Sequence, residues 1–242
     1  MINTVGIIGY GHFGKFLHDL GSRFFPEVEF RIYSRREEID SQTFFDLKTV
    51  AQSDIVILCR AINEYEEQLI SVLEHASSET IIVDVATVKL YTSKLLYKYC
   101  INNKFISIHP MFGPDSYKKY KGDVNGFTIV VTDYVLRNDG YQVLKDTFAS
   151  LGFNIIEMTA DEHDKRFSET LFLTHHVGKS ILKAGFTRVD SDVLAFQFLM
   201  DAVESVAGDQ NLFADMYKYN PYCKMVAERL NKAQKEVFEE LE

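Results

Sequence analysis

The chain has 242 residues, 46% of them hydrophobic and 25% charged, with a formal net charge of −9. That length builds one large domain or two modest ones, and its interspersed acids and bases exclude the clustered basic face of a nucleic-acid-binding protein. No apolar run approaches the ~18 residues of a membrane span, the strand pattern starting at Thr4 argues against a signal peptide, and three cysteines without metal-like spacing fit a reduced, cytoplasmic, metal-free protein.

From Thr4 to about Met158, short β-branched runs alternate with helical periods. Strands are predicted at 4–9, 29–34, 54–59, 80–85, 105–110, 127–131 and 154–158, and helices at 12–25, 63–75, 90–101 and 139–151. Several strands are nearly continuous hydrophobic runs, as parallel strands covered on both faces require. This alternation predicts a doubly wound, Rossmann-type α/β sheet over 1–158. Beyond it only helical periods remain, so 159–242 is expected to be a smaller all-helical domain. Gly185 and Gly208 lie near helix ends, and the last helix is expected to be capped by Asn220 with Pro221 in its first turn.

The first strand runs into "VGIIGYGHFG", which sets Gly9, Gly11 and Gly14 as G-x-G-x-x-G between a strand and a helix. The first glycine allows a tight turn, the second a close approach of backbone to pyrophosphate, and the third close packing of helix on strand. The phosphates would lie at a helix N-terminus, where free N–H groups and the helix dipole favour negative charge. His12 and Phe13, within this loop, and Cys59, at the end of the third strand, complete the candidate cofactor contacts on that side. An NAD site usually ends the second strand with an acid. Here the tip reads Ser34, Arg35, Arg36, and paired guanidiniums suit a 2′-phosphate. NADP is therefore predicted over NAD, the alternative being that the arginines belong to a solvated loop.

"FISIHPMFGPDS" brings His109 to the C-terminal end of the fifth strand, and "IIVDVATVK" brings Thr87 and Lys89 just beyond the fourth. Ligands of open α/β sheets bind beyond these ends. A hydride transfer from an alcohol needs a base for the hydroxyl proton, and histidine titrates near neutrality. Pro110 and Pro114, two of only four prolines, restrict the backbone on either side.

These segments resemble the prephenate/arogenate dehydrogenases, enzymes of tyrosine biosynthesis. "GYGHFG" is similar to the family's cofactor loop, and "DVATVK" to a segment that usually has serine at the place of Thr87. "HPMFGPDS" resembles the signature around its catalytic histidine, "FLTHHVGKSI" a motif of its helical domain, and "LMDAVESVAGDQNLFADMYKYNPY" the C-terminal segment of its short, arogenate-using branch. The resemblance implies an oxidative decarboxylation of arogenate or prephenate with hydride transfer to NADP. It gives His109 the substrate hydroxyl and its proton, and puts Thr87 beside the same hydroxyl. Gly113, His175 and Lys179 would serve substrate binding, in a cleft between the domains, with the helical domain forming a homodimer. An arginine that many relatives use for a substrate carboxylate has no counterpart in "FQFLMDAVESVAG". With no residues left for a regulatory domain, inhibition by tyrosine is expected only at the active site.

Other features are expected to be structural. His176 points about 100° from His175 on a helix, "SRREEID" and "KKYKGD" read as solvated runs, and Phe167, Phe172, Phe196, Phe198 and Phe213 read as core, or for some as a dimer seam. Two rival functions share the architecture: another NADP-dependent dehydrogenase or reductase of β-hydroxyacid or imine type, and a catalytically silent NADP-binding regulatory protein. The first usually relies on a lysine of the helical domain, and the second leaves the pairing of Thr87 with His109 without a purpose.

Overall fold

Seven strands form one sheet in the order β2-β1-β3-β4-β5-β6-β7. They are β1 (Thr4–Ile8), β2 (Glu29–Tyr33), β3 (Ile55–Leu58), β4 (Ile81–Asp84), β5 (Lys104–Pro110), β6 (Thr128–Val135) and β7 (Asn154–Glu157). The coordinates are a computed structural model and describe residues 2–137, 139–208 and 210–242. The chain steps from β1 to β2 in one direction and from β3 onward in the other. At such a reversal an open α/β sheet leaves a crevice beyond its strand ends.

All neighbouring strands are parallel except β5 and β6. This departs from uniform parallel winding. The helix between them, α5 (Pro114–Lys119), has six residues. The chain turns at the same edge, and β6 runs back beside β5 with His109 opposite Val130 and Pro110 opposite Ile129.

Around the sheet lie α1 (His12–Phe24), α2 (Leu47–Ala51), α3 (Tyr65–Leu73), α4 (Lys89–Tyr99) and α6 (Gly140–Ser150). The short α2 and α5 escape a periodicity reading because five or six residues carry hardly more than one turn of pattern. Side chains alternate along β5. Ile106 and Ile108 join the core under α1 with Phe16, Leu20 and Val83, whereas Ser107 reaches Asp84 on the opposite face. Between α1 and α6 that apolar face keeps a hollow of about 540 Å³, lined by Leu20, Phe24, Ile57, Ile108 and Phe148 among others.

The chain divides into two compact units, Met1–Ala160 and Asp161–Glu242. Taken by itself, the second is helical: most of α7 (Ala160–Phe167), a π-helical turn Ser168–Phe172, then α8 (Leu173–Lys183), α9 (Leu194–Ser205), α10 (Gln210–Tyr219) and α11 (Cys223–Glu239). Helices α8 and α9 meet at Gly178, where an added Cβ would lie 2.7 Å from Val206 Cγ2. Phe172 is buried in this unit, but Phe198 is 64% exposed and does not join its core. It lies two positions, hence ~200° around the helix, from the buried Met200. The last helix begins at Cys223 with Tyr222 at its cap, not at Asn220. Asn220 is buried, accepts from Tyr222 N at 3.0 Å and donates to the Asp164 carbonyl at 2.8 Å. It thereby ties the turn to α7 as well as preceding the helix.

β1 and β3 are joined at their starts by a reciprocal contact. Asp54 Oδ2 accepts from Asn3 N at 2.8 Å and Thr4 N at 3.0 Å, and Asp54 N donates to Thr4 Oγ1 at 2.9 Å. The bond from Asn3 N, followed by those from Thr4, lowers the Asp54 pKa. A lowered folded-state pKa contributes stability above the unfolded value, ~3.9, which is lost as pH falls through the folded value. Asp54→Asn is expected to cost about 1 kcal/mol at pH 7, allowing for solvent screening. Urea unfolding at pH 7 and pH 3 checks this, the difference from wild type narrowing at the lower pH.

Candidate active site

The turn after β1 has the geometry that close backbone approach needs. Gly9 has φ +103°, and a Cβ there would lie 2.7 Å from the Cys59 carbonyl oxygen. A Cβ on Gly14 would stand 2.0 Å from the Gly9 carbonyl oxygen, so only glycine lets α1 start this close to the strand. Gly11, the N-cap of α1, meets nothing within 4 Å. The loop is thus packed from behind and open in front, which fits the pyrophosphate of a dinucleotide. His12 is exposed on that front, whereas Phe13 leans on the core under α1 beside Phe16, with ring centroids 6.0 Å apart. Cys59 backs the loop, and burial, with the Asp84 charge second, pushes its thiol pKa up to about 12.

At the tip of β2, Arg35 is mostly exposed and donates to both carboxylate oxygens of Glu64, at 3.1 and 3.2 Å. Arg36 N donates to Ser34 Oγ at 3.3 Å. The expected solvated run therefore has one arginine fastened by an ion pair. Glu64 ends a 3₁₀ turn after β3, Ile62–Glu64, and also binds Arg60, whose Nε donates at 2.8 Å.

His109 lies at the end of β5 and Thr87 just beyond the end of the adjacent β4. Thr87 is half-buried in the loop between β4 and α4, and His109, only 6% exposed, is the next-to-last residue of β5. A buried polar group joins the two segments. Lys89 Nζ donates to Asp84 Oδ2 and to the Ile108 carbonyl, both at 2.7 Å. Asp84 Oδ2 also accepts from Thr92 Oγ1 at 2.6 Å and Ser107 Oγ at 2.9 Å, and Asp84 Oδ1 accepts from Ala86 N at 2.9 Å. Neither Lys89 nor Asp84 has exposed side-chain surface. The peptide before His109 and the loop carrying Thr87 are thus held to one buried ion pair. On the other side of His109, Phe112 stacks on Phe127 and Phe153, with centroids 5.0 and 5.4 Å away, and anchors the chain before Gly113. Gly113 N donates to Ser116 Oγ at 2.9 Å, and its Cα faces open space.

In the helical unit His175 is buried on α8, its ring stacked on Phe213 at 6.3 Å, and Lys179 Nζ lies 5.8 Å from the same ring. Lys179 is half-buried there. His176 stacks on Phe172 at 5.8 Å. Among the described residues no group of three or more His, Cys, Asp or Glu is placed to hold a metal ion.

Comparison with known proteins finds the same resemblance. Residues 34–136 match the model of the prephenate dehydrogenase nucleotide-binding domain. Two chloroplastic arogenate dehydrogenases of Arabidopsis thaliana, numbers 1 and 2, are each 28% identical, over 95% and 98% of this chain. Over nearly its whole length the chain is thus similar to arogenate dehydrogenases, and over residues 34–136 to the prephenate dehydrogenase nucleotide-binding domain. It spans 38% of the first Arabidopsis relative's length and 69% of the second's. Two solved structures share its fold. One is prephenate dehydrogenase from A. aeolicus, in complex with hydroxyphenyl propionate and NAD+ (TM-score 0.77, 16% identity, 99% of this chain and 90% of that one). The other is Synechocystis arogenate dehydrogenase (TM-score 0.65, 21% identity, 98% and 90%).

The first unit brings together at one sheet edge the glycine loop, Ser34 to Arg36, Thr87 and His109. His175 and Lys179 share one face of α8, one turn apart. Two buried pairs were not singled out as pairs. The partner of Lys89 is Asp84, whose place inside "IIVDV" should have been a signal, since an acid within a buried strand requires a cation or donors. The second is His163 Nδ1 with Asp164 Oδ1, 2.9 Å apart and fully buried in α7. Removing one member of a buried ion pair costs about 3–5 kcal/mol. Lys89→Met is accordingly expected to lose at least 3 kcal/mol in urea unfolding, and adding Asp84→Asn to recover part of it.

Proposed function

We propose that the chain is an NADP-dependent dehydrogenase that oxidatively decarboxylates arogenate, with prephenate as the alternative substrate. The observation carrying this reading is the position of His109: at the C-terminal end of β5, beside the Thr87 loop, on the sheet edge that the glycine loop occupies at β1. From β2 to β5 there are four inter-strand steps, ~19 Å, a span that an extended dinucleotide crosses. With its adenosine at Arg35 and its pyrophosphate on Gly11, the redox end comes to Thr87 and His109. NADP is favoured because Ser34, Arg35 and Arg36 follow Tyr33 at the β2 tip where an NAD site has an acid. Arogenate is favoured because both Arabidopsis relatives are named arogenate dehydrogenases.

The bound cofactor supplies a hydride acceptor. His109 accepts the substrate hydroxyl as a hydrogen-bond donor and takes its proton as the carbon–hydrogen bond breaks. Thr87 holds the same hydroxyl from the neighbouring strand end. Carbon dioxide leaves the opposite ring carbon, its bonding electrons make the ring aromatic, and His109 returns the proton to the phenolate oxygen. The product's aromaticity drives the chemistry, so these side chains mainly position and polarise. His175 and Lys179 supply substrate contacts from the helical unit, Lys179 as a cation toward a carboxylate.

The helical unit is the proposed dimer surface. Phe186, Leu194 and Phe198 are each about 60% exposed there, and small helical domains often bury such faces against a copy. A reducing, cytoplasm-like compartment is supported by three unbridged thiols, Cys59, Cys100 and Cys223. No helix among the described residues is long and apolar enough to cross a membrane.

NADPH formation with arogenate and with prephenate tests the activity. His109→Ala is expected to lower kcat about 10²- to 10⁴-fold with cofactor affinity retained; unchanged turnover would remove His109 from the chemistry, and no turnover of either substrate by wild type would remove the dehydrogenase. Phe198→Glu is expected to shift the protein toward monomer in sedimentation velocity, and an unshifted dimer would place the seam elsewhere.

A further inference from the structure

We propose that Arg60 is a second selecting residue for the cofactor 2′-phosphate, and that Glu64 competes with that phosphate for Arg60 and Arg35. The inference rests on the NADP reading above and adds two residues to it. Arg35 follows β2 and Arg60 follows β3, the two strands flanking β1. The two arginines therefore straddle the glycine loop, and Arg60 Cδ lies 2.9 Å from the position of a Cβ on Gly9. Both guanidiniums converge on one carboxylate: Arg60 binds Glu64 through Nε at 2.8 Å and through a second nitrogen, and Arg35 binds it at 3.1 and 3.2 Å.

The Arg60 side chain is only 14% exposed, against 62% for Arg35, so its charge is the less screened of the two. Around them Tyr33, Leu47, Gln68 and Ser71 line a small hollow of about 100 Å³. Two guanidinium groups held by a single carboxylate form a dianion site already shaped by a monoanion. A phosphate offers three oxygens to the same donors and carries more charge than the carboxylate it displaces. A ribose 2′-hydroxyl offers no charge, so NAD has no means to compete with Glu64. The carboxylate thus holds the arginines in place and tempers what a phosphate gains by taking them over.

The test compares dissociation constants for 2′,5′-ADP and 5′-AMP, and for NADPH and NADH, by calorimetry on the full chain. Arg60→Ala is expected to weaken 2′,5′-ADP and NADPH about three- to tenfold, leaving 5′-AMP and NADH within about twofold. Glu64→Gln, which keeps the shape and removes the competing charge, is expected to tighten 2′,5′-ADP by a similar factor. If wild type prefers NADPH but neither substitution changes the ratio of the two ligands, Arg60 and Glu64 form only a structural pair and the inference is overturned. Weaker 2′,5′-ADP binding in Glu64→Gln overturns the competitor role, because the carboxylate would then be needed to set the arginines. A wild type that prefers NADH instead overturns the NADP reading itself. Circular dichroism melting of each variant separates these outcomes from loss of folding.

Discussion

One buried ion pair organises the sheet edge that carries Thr87 and His109. Asp84, at the end of β4, and Lys89, at the start of α4, have no exposed side-chain surface. The lysine would be costly there without an anion, and the aspartate without donors. Together with Thr92 and Ser107 they satisfy each other, and the spare donor of Lys89 takes the carbonyl of Ile108. Because that carbonyl belongs to the peptide leading into His109, the ion pair fixes the backbone from which the imidazole projects. Because Lys89 also opens α4, the same pair fixes the loop carrying Thr87. The polar group is thus worth more as a position than as stability.

The glycine turn after β1 uses a different device. At β1 there is no charge to neutralise, only space to remove: Gly9 and Gly14 let carbonyl, helix and neighbouring strand approach within distances that a methyl group would block. The charges stand one strand away on either side, on Arg35 and Arg60. In the proposed reading, a backbone cradle for the pyrophosphate and side-chain cations for the ribose phosphate are therefore built on separate strands. Cofactor preference can then change at the tips of β2 and β3 without disturbing the turn that all dinucleotides share.

The two prolines around His109 are part of a larger restraint. Phe112 buries itself between Phe127 and Phe153, pulling the segment after the histidine into the core under α1. The segment before it is pulled by Lys89 on the opposite face. His109 sits between two anchors on opposite sides of the sheet, and the antiparallel return of β6 closes the third side through Val130. Proline alone would restrict φ, but these contacts determine direction.

By itself the sequence determined the local elements, the glycine turn, the cations at the β2 tip and the strand-end places of Thr87 and His109, because each follows from periodicity or from residue type over a few neighbouring positions. The pairing of Asp84 with Lys89, the reach of Lys89 to the Ile108 carbonyl, the joint hold of Arg35 and Arg60 on Glu64, and the reversed direction of β6 were decided only in the tertiary structure. Ser107 and Asp84 are 23 residues apart in sequence, and Arg35 and Glu64 29 apart, so no local pattern announces them. The same holds for Phe198, an aromatic that reads as core until the helix it rides on is packed and its own face is left outward. Chain order dictates which side chains a strand end presents, whereas the register between strands chooses their partners.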